Sequence, residues 1–144
     1  MTMSRVYPHV AAVIPCLDEE EAIGSCVTAV QSLGISEVIV VDGGSADRTA
    51  ERAATAGARV VIERDRGYGR AMMAGIGALS PQTSVVLFID GDGSDRPEMI
   101  PAVLEPIESG RADLRRPSPM SPPCSFVAAR PSCAFVKRER CRIR

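Results

Sequence analysis

Short apolar runs alternate with segments of helical periodicity over the first 110 residues of the chain. Four of these runs are continuous enough to predict strands that are buried on both faces of a sheet. They span residues 9–14, 37–41, 59–62 and 84–89. Strands separated by helix-sized segments pair in parallel through right-handed crossovers. The pattern therefore predicts an α/β fold, with a parallel Rossmann-like sheet and helices on both faces.

The segments between the strands carry signals for the ends of helices. The acidic residues 18–21 precede a stretch of helical periodicity, and we expect them in its first turn, where the helix macrodipole favours negative charge. Ser45 or Asp47 is expected to cap the second helix. The prolines that follow the fourth strand predict two short helical segments instead of one long helix, with Pro101 beginning the second segment.

Carboxylates follow three of the four predicted strands. Asp18, Asp42 and Asp90 come just after the first, second and fourth strands. The carboxyl ends of parallel strands meet at one edge of a sheet, so we expect these acids to gather near the point where the strand order reverses. Asp90 and Asp92 lie on a glycine-containing turn, where a hard divalent cation can approach with the phosphates it carries. The alternative for each acid is a role in a turn or a helix cap.

Composition bounds the class of protein and divides the chain in two. A length of 144 residues predicts one domain, and five cysteines without a Cys-x-x-Cys pair favour a reducing compartment over a zinc site or a disulfide framework. No apolar run approaches the roughly 20 residues of a membrane span. We therefore expect a cytoplasmic protein that lies, at most, against the inner face of a membrane. Residues 1–110 carry 8 Arg, no Lys and 16 acids, whereas residues 111–144 carry 9 basic residues and 2 acids.

Four motifs, in this order, resemble one known family. They are VIPCLDEEEAIG at residues 13–24, EVIVVDGGSADRT at 37–49, RGYGRAMMAG at 66–75 and VVLFIDGDGSDRPE at 85–98. Together they resemble the amino-terminal half of family 2 glycosyltransferases with the GT-A fold. The resemblance is strongest to dolichyl-phosphate mannosyltransferases and bacterial polyprenyl-phosphate glycosyltransferases. It implies a glycosyltransferase that takes a sugar from a UDP- or GDP-sugar and transfers it to a polyprenyl phosphate.

The resemblance also implies roles for particular residues. The divalent metal, Mg²⁺ or Mn²⁺, is bound by Asp90 and Asp92. Asp42 contacts the base, and a carboxylate there suits the N–H groups of uracil or guanine. The implied nucleotide-binding residues are Pro15, Asp18, Glu20, Asp42, Gly67, Arg70 and Asp90. Relatives that act on a lipid phosphate need no strong base, because the phosphate oxygen is already nucleophilic, whereas relatives that act on hydroxyls use an acid from the later region. No residue after Asp113 can be assigned that role, so the catalytic residue stays unknown.

Single positions depart from the family pattern or extend it. Gly43 stands where many members carry a second Asp, and Ser94 stands where relatives often carry Gln, so contacts of those side chains do not carry over. Arg64, Arg66 and Arg70 flank the Gly-Tyr-Gly loop and offer forked donors to phosphates. Solvated surface charge is the alternative for two of these three arginines.

The larger departure lies in residues 114–144, which contain five prolines and three cysteines. This composition favours an irregular tail over a central strand or a regular helix. We predict a nucleotide-sugar-binding region over residues 1–113, followed by a tail that derives from a shifted reading frame or a truncated gene. A genuine basic tail that contacts anionic lipid or nucleic acid is the alternative, although no motif supports nucleic acid as a partner. With the acceptor half missing, we expect weak or no transfer and retained donor binding.

Two other functions compete with this prediction. A phosphatase of the haloacid dehalogenase type also carries Asp-x-Asp after an apolar strand. In those enzymes the motif ends the first strand, whereas here it ends the fourth, and motif context is what decides such matches. The second competitor is an inactive remnant that at most binds the nucleotide-sugar.

Overall fold

The fold alternates strands and helices, as a computed structural model that describes residues 6–115 and 127–129 shows. The strands are β1 (Val10–Cys16), β2 (Glu37–Asp42), β3 (Arg59–Ile62), β4 (Val85–Phe88), β5 (Leu114–Arg115) and β6 (Val127–Ala129). The helices are α1 (Ile23–Ser32), α2 (Thr49–Thr55), α3 (Tyr68–Gly77) and α4 (Ile100–Glu108), and a short 3₁₀ turn (Pro97–Met99) precedes α4. All four predicted strands are therefore present.

The strands form one sheet in the order β3-β2-β1-β4-β6-β5. The first four strands are parallel, as predicted, and β6 pairs antiparallel with both β4 and β5. After β1 the chain builds outward through β2 and β3, and it then returns to add β4 on the other side of β1. This reversal between β1 and β4 is the topological switch point, where open α/β sheets bind ligands beyond the strand ends.

Helices cover both faces of the sheet, which confirms the predicted layering. On one face α1 and α4 bury apolar side chains against the sheet. Those of α1 are Ile23, Val27 and Val30, and those of α4 are Ile100, Val103, Leu104 and Ile107. On the other face α3 packs over Val13, Val41 and neighbouring strand residues. At Gly75 an added Cβ would lie 2.3 Å from Val13 Cγ1, so only glycine lets α3 approach the sheet this closely.

The structure corrects several expected boundaries. The strand β1 continues through Pro15 to Cys16, whose carbonyl oxygen accepts the N–H of Gly43 at 2.9 Å. The acids of residues 18–21 lie in the loop before α1, and the first turn of α1 contains none, so the macrodipole expectation is wrong. The backbone N–H groups of residues 18–20 instead donate to side chains of residues 45–49.

The second helix is not capped as predicted. The helix α2 begins at Thr49, and its N-cap position, Arg48, makes no side-chain cap hydrogen bond. Asp47 nevertheless accepts the N–H of Thr49 at 2.9 Å, so it satisfies one of the free donors at this helix end. Ser45 does not bond the helix, because its hydroxyl donates to Asp42.

The first two prolines after β4 act as expected, whereas the third, Pro106, does not break the helix. The 3₁₀ turn begins at Pro97, and α4 follows as a separate segment with Pro101 in its first turn, where a proline costs no hydrogen bond. Pro106 lies inside α4.

Beyond Asp113, the proline-rich composition led us to expect an irregular course, yet β5 and β6 join the sheet. Residues 127–129 contain no proline, so each of their N–H groups is available for pairing. The rest of the predicted tail, residues 116–126 and 130–144, lies outside the described residues.

Candidate functional site

A cavity of about 380 Å³ lies beyond the carboxyl ends of β1 and β4, at the predicted edge of the sheet. We call it the switch-point cavity. Its walls come from the loops after β1, β2, β3 and β4 and from the first turn of α3. The lining residues are Pro15, Cys16, Leu17, Glu19, Gly43, Glu63, Asp65, Arg66, Gly67, Tyr68, Ala71, Asp90, Gly91 and Asp92.

Asp90 and Asp92 reach this cavity from the turn after β4, residues 90–95, which we call the β4 turn. The backbone N–H of Asp90 donates to Asp95 Oδ2 at 2.9 Å, which closes the turn, and Asp90 Oδ1 accepts the Tyr68 hydroxyl at 3.1 Å. Asp92 Oδ1 accepts both the hydroxyl and the N–H of Ser94, at 2.6 Å and 2.9 Å. These two hydrogen bonds lower the pKa of Asp92, so its carboxyl group is ionised at neutral pH.

Gly91 fixes the position of both carboxylates. An added Cβ at Gly91 would lie 2.8 Å from Cys16 Cβ and 3.3 Å from Ile14 Cγ2. Any larger residue would push the β4 turn away from the end of β1. Gly93 adopts a φ of 76°, a conformation that glycine accepts without strain. The glycines of this motif thus hold Asp90 and Asp92 against the switch point.

Asp42 occupies a neighbouring hollow of about 480 Å³, which we call the Asp42 hollow. It is the last residue of β2 and is only 3% exposed. Its carboxylate accepts the N–H of Ser45 at 3.2 and 3.3 Å and the Ser45 hydroxyl on Oδ1. Gly43 and Arg66 line both this hollow and the switch-point cavity, so the two spaces are adjacent.

Hydrogen bonds join the loop after β1 to the turn after β2, residues 42–47, which we call the β2 turn. The backbone N–H groups of three consecutive acidic residues donate across this junction. Asp18 donates to Ser45 Oγ at 2.8 Å, Glu19 to Thr49 Oγ1 at 2.8 Å, and Glu20 to Asp47 Oδ2 at 3.1 Å. In return, Asp18 Oδ1 accepts the N–H of Ala46 at 2.8 Å. The acidic residues 18–20 therefore stabilise this junction through their backbone N–H groups.

The predicted nucleotide-binding residues separate into two groups. Pro15, Gly67 and Asp90 line the switch-point cavity with the predicted metal ligand Asp92, and Asp42 lies in the adjacent hollow. Three others point elsewhere. Asp18 bonds the β2 turn, Glu20 pairs with Arg48 at 3.4 Å and Arg52 at 3.8 Å, and Arg70 pairs with Asp65 at 2.8 Å. Their roles as ligands stay predictions.

Sequence reasoning gave no role to Tyr68, which contacts the predicted metal site. Its hydroxyl reaches Asp90, and burial together with the charge of Asp90 raises the pKa of Tyr68 to about 12, so the phenol stays protonated. The only available signal was an aromatic residue between two glycines. Cys16 also lines the cavity, but burial and nearby acids raise its pKa to about 12, so it is not a thiolate nucleophile.

The carboxylates suit a hard divalent cation that brings some of its own ligands. Over residues 6–115 and 127–129, no group of three or more His, Cys, Asp or Glu side chains converges as a complete metal site. Asp90 and Asp92 together offer oxygen donors only. Mg²⁺ and Mn²⁺ accept such a partial set when phosphates and water complete their coordination. The donor set therefore fits a cation that arrives with a phosphate ligand.

The family model described as glycosyl transferase family 2 matches residues 11–131. The chain belongs to this family. The match confirms the resemblance on which the sequence prediction rested, and it contradicts the haloacid dehalogenase alternative. It also extends past Asp113, where we predicted the nucleotide-sugar-binding region to end; the division into two regions stays a prediction.

Similar curated proteins include an uncharacterized glycosyltransferase of Mycobacterium tuberculosis. It is 41% identical over 112 residues, which are 75% of this chain and 49% of that protein. A dolichyl-phosphate hexose transferase of Haloferax volcanii is 38% identical over 106 residues, 72% of this chain and 45% of that protein. The chain thus spans about half the length of the curated relatives it matches.

Solved structures confirm the GT-A fold. Glucosyl-3-phosphoglycerate synthase from Mycobacterium tuberculosis, in complex with Mn²⁺ and uridine-diphosphate-glucose, superposes with a TM-score of 0.73 at 25% identity, covering 85% of this chain and 56% of that one. Mannosyl-3-phosphoglycerate synthase from Rubrobacter xylanophilus gives 0.62 at 31% identity, covering 68% and 36%. Within the described part of this chain, no helix is long and apolar enough to cross a membrane.

Proposed function

We propose that this chain binds a nucleoside-diphosphate sugar together with Mg²⁺ or Mn²⁺ and provides the donor site of a glycosyltransferase. The observation that carries the proposal is the joint position of Asp90 and Asp92 on the switch-point cavity. Membership in family 2 and the Mn²⁺ and UDP-glucose in the similar synthase structure support it.

Asp92 is our principal candidate for the metal ligand. It is exposed, and the hydrogen bonds from Ser94 keep its carboxyl group ionised. Asp90 offers a second carboxylate whose orientation is fixed by the Tyr68 hydroxyl. When bound, the cation would neutralise negative charge on the nucleoside diphosphate as it leaves the sugar. The protein's part is to hold two carboxylates at the end of a rigid sheet, which favours a defined position for the diphosphate.

Asp42 is our candidate for recognition of the base. An ionised carboxylate has about four acceptor sites on its two oxygens, and Ser45 occupies only some of them. The remaining sites suit the N–H of uracil or the N–H groups of guanine, so a UDP- or GDP-sugar is the expected donor. The adjacency of the Asp42 hollow to the switch-point cavity supports a base and a diphosphate bound side by side.

For the acceptor we propose a lipid phosphate such as a polyprenyl phosphate. The 38% identity to a dolichyl-phosphate hexose transferase supports this class, whereas the solved synthases act on a soluble phosphoglycerate. A phosphate oxygen is nucleophilic without a strong general base, which agrees with the lack of an assigned base among the described residues. Transfer would then take place on the cytoplasmic side of a membrane.

Isothermal titration calorimetry tests the donor site. UDP-glucose and GDP-mannose are titrated into folded protein with Mn²⁺, and again with EDTA. We expect saturable binding of one of them that needs Mn²⁺. If neither sugar nucleotide binds to protein that shows a cooperative thermal transition, the proposal is refuted.

Transfer is assayed separately, with polyprenyl phosphate and 3-phosphoglycerate in parallel. Product with the lipid phosphate alone supports the proposed acceptor, and product with phosphoglycerate alone overturns it. The candidate function of a donor-binding remnant predicts binding without transfer to either acceptor.

A further inference from the structure

We infer that Arg66 is the side chain that binds the diphosphate of the donor, and that Arg70, which the sequence resemblance implied, is not. This inference rests on the proposed function, because it assigns a ligand within the same site. It concerns three arginines that the sequence does not distinguish, Arg64, Arg66 and Arg70. The structure gives these arginines three different environments.

Arg70 is engaged elsewhere. Its Nη2 lies 2.8 Å from Asp65 Oδ2, and both side chains are largely exposed. Arg70 lines a separate surface depression along α3, with Met73 and Ile76, and it does not line the switch-point cavity. To bind a diphosphate in the switch-point cavity, the guanidinium would have to leave Asp65, which itself lines that cavity.

Arg66 has the opposite environment. It lines the switch-point cavity and the Asp42 hollow. No hydrogen bond or ion pair joins Arg66 to another residue in the part of the chain that the structure describes, so its five N–H donors are available to a ligand. Gly43 is the other residue that both spaces share. A ligand that extends from Asp42 to Asp92 must pass this shared boundary.

The charges around the switch-point cavity give a physical reason for a guanidinium beside the diphosphate. Among the residues that the structure describes, its lining carries one basic side chain, that of Arg66, and five carboxylates: Glu19, Glu63, Asp65, Asp90 and Asp92. A nucleoside diphosphate is itself an anion, so such a wall repels it. One divalent cation offsets only part of that charge. A guanidinium fork, which binds two phosphate oxygens at once, is the group that best supplies the rest.

Arg64 provides the contrast within the same loop. It lines the Asp42 hollow and not the switch-point cavity, and its Cγ lies 3.7 Å from the position of a Cβ on Gly44. Its place favours contact with the nucleoside end of a donor. Removal of Arg64 should therefore lower the affinities for UDP and for uridine by a similar factor. Removal of Arg66 should lower the affinity only for the ligand that carries phosphates.

The test compares Arg66→Gln, Arg70→Gln and Arg111→Gln by calorimetric titration with UDP, GDP and uridine in the presence of Mn²⁺. Arg111 lies beyond α4, pairs with Glu105 and lines neither space, so Arg111→Gln is the control for loss of one positive charge. We expect Arg66→Gln to lower the affinity for the nucleoside diphosphate about 10- to 100-fold, the range for loss of hydrogen bonds to charged groups. Uridine should be unaffected, and Arg70→Gln should match Arg111→Gln.

If Arg70→Gln loses tenfold or more in affinity for UDP or GDP and Arg66→Gln loses none, the inference is overturned and the prediction from the sequence is restored. Equal affinity in all three variants would also overturn it, while leaving the proposed function intact. Wild-type protein that binds neither UDP nor GDP would refute both. If Arg66→Gln fails to fold, Arg66→Lys replaces it. That variant keeps the charge without the fork, and the inference requires it to bind UDP less tightly than the wild type.

Discussion

The β2 turn and the β4 turn have similar sequences and different surroundings. The first reads DGGSAD and the second DGDGSD, and each follows a buried parallel strand. In the β2 turn, Asp42 and Asp47 accept hydrogen bonds from Ser45, Thr49 and the neighbouring loop. In the β4 turn, Asp90 and Asp92 line an open cavity. The first turn uses its carboxylates mainly to hold backbone, and the second leaves two of its carboxylates facing a cavity.

The difference arises from the neighbours of each turn. The loop after β1 lies against the β2 turn and supplies N–H groups that need acceptors. The β4 turn instead meets the end of β1 through Gly91, which has no side chain to fill the gap. What packs beside an Asp-Gly motif at a strand end therefore decides whether its carboxylates are enclosed by hydrogen bonds or face a cavity.

The sharpest test of the comparison is Asp92→Asn. We expect it to weaken Mn²⁺-dependent binding of the nucleoside diphosphate by about 100-fold, since loss of even an outer-shell group costs about 10- to 100-fold in metal affinity. Stability should change by less than about 0.5 kcal/mol, because Asp92 is exposed. Titration calorimetry and urea unfolding measure the two quantities. If Asp92→Asn binds the nucleoside diphosphate and Mn²⁺ as tightly as the wild type does, the two turns do not differ in the way described.

The two glycines that follow Asp90 and Asp42 offer a matched pair for stability. Gly91→Ala places a Cβ 2.8 Å from Cys16 Cβ, whereas Gly43→Ala meets Cys16 O at 3.4 Å. We expect Gly91→Ala to lower the free energy of unfolding by about 1–3 kcal/mol, the usual cost of overpacking. Gly43→Ala should cost clearly less. If urea unfolding shows the same loss of unfolding free energy in both variants, the β4 turn does not depend on close contact with β1.

The junction at the β2 turn is tested by Thr49→Val. Thr49 is fully buried, and its hydroxyl accepts the N–H of Glu19 and donates to Asp47. Valine keeps the shape but removes the acceptor of the Glu19 N–H and one hydrogen bond to Asp47, which keeps the backbone N–H of Thr49. We therefore expect a loss of about 1–2 kcal/mol in unfolding free energy. Thr55→Val is the control, because its exposed hydroxyl bonds only its own helix. If the two variants are equally stable, the junction does not stabilise the fold.

Tyr68→Phe should have a smaller effect, confined to the β4 turn. It removes one hydrogen bond of 3.1 Å to Asp90, from a side chain that is 54% exposed. We expect Mn²⁺ affinity in the presence of UDP to fall by less than about tenfold, in line with about 1 kcal/mol for one hydrogen bond. Electron paramagnetic resonance of free Mn²⁺ gives the affinity. An increase in affinity would show that Tyr68 competes with the metal for Asp90.

The smallest expected effect is the pH dependence of the β2 turn. Hydrogen bonds, first that from the Thr49 hydroxyl, hold the pKa of Asp47 below its usual value of 3.8. The ionised group therefore contributes stability that is complete above that value and is lost as the pH falls through the lowered pKa. The difference in Tm between wild type and Asp47→Asn should be constant near neutrality and shrink in acid. A difference that grows in acid would contradict this sign.

Much of the fold followed from the sequence because its signals are local. Continuous apolar runs predicted four parallel strands, and their ends fell within two residues of those in the structure. The site was predicted in part. Pro15, Gly67, Asp90 and Asp92 meet at one cavity, because parallel topology carries strand ends to one edge. Tyr68 received no role, and Arg66 was not distinguished from Arg64 and Arg70 as a phosphate ligand, since nothing in their local sequence indicates which neighbours they face.

By itself, the sequence determined the order of the elements through β4, the parallel pairing of those strands and the family, since apolar runs and motif order do not depend on distant contacts. Only the tertiary structure decided the use of each polar side chain. Glu20 pairs with Arg48, 28 residues away, and Asp90 meets Tyr68 across 22 residues. Whether a carboxylate or a guanidinium remains available to a ligand depends on such partners. Folding brings these partners together, and no local pattern encodes them.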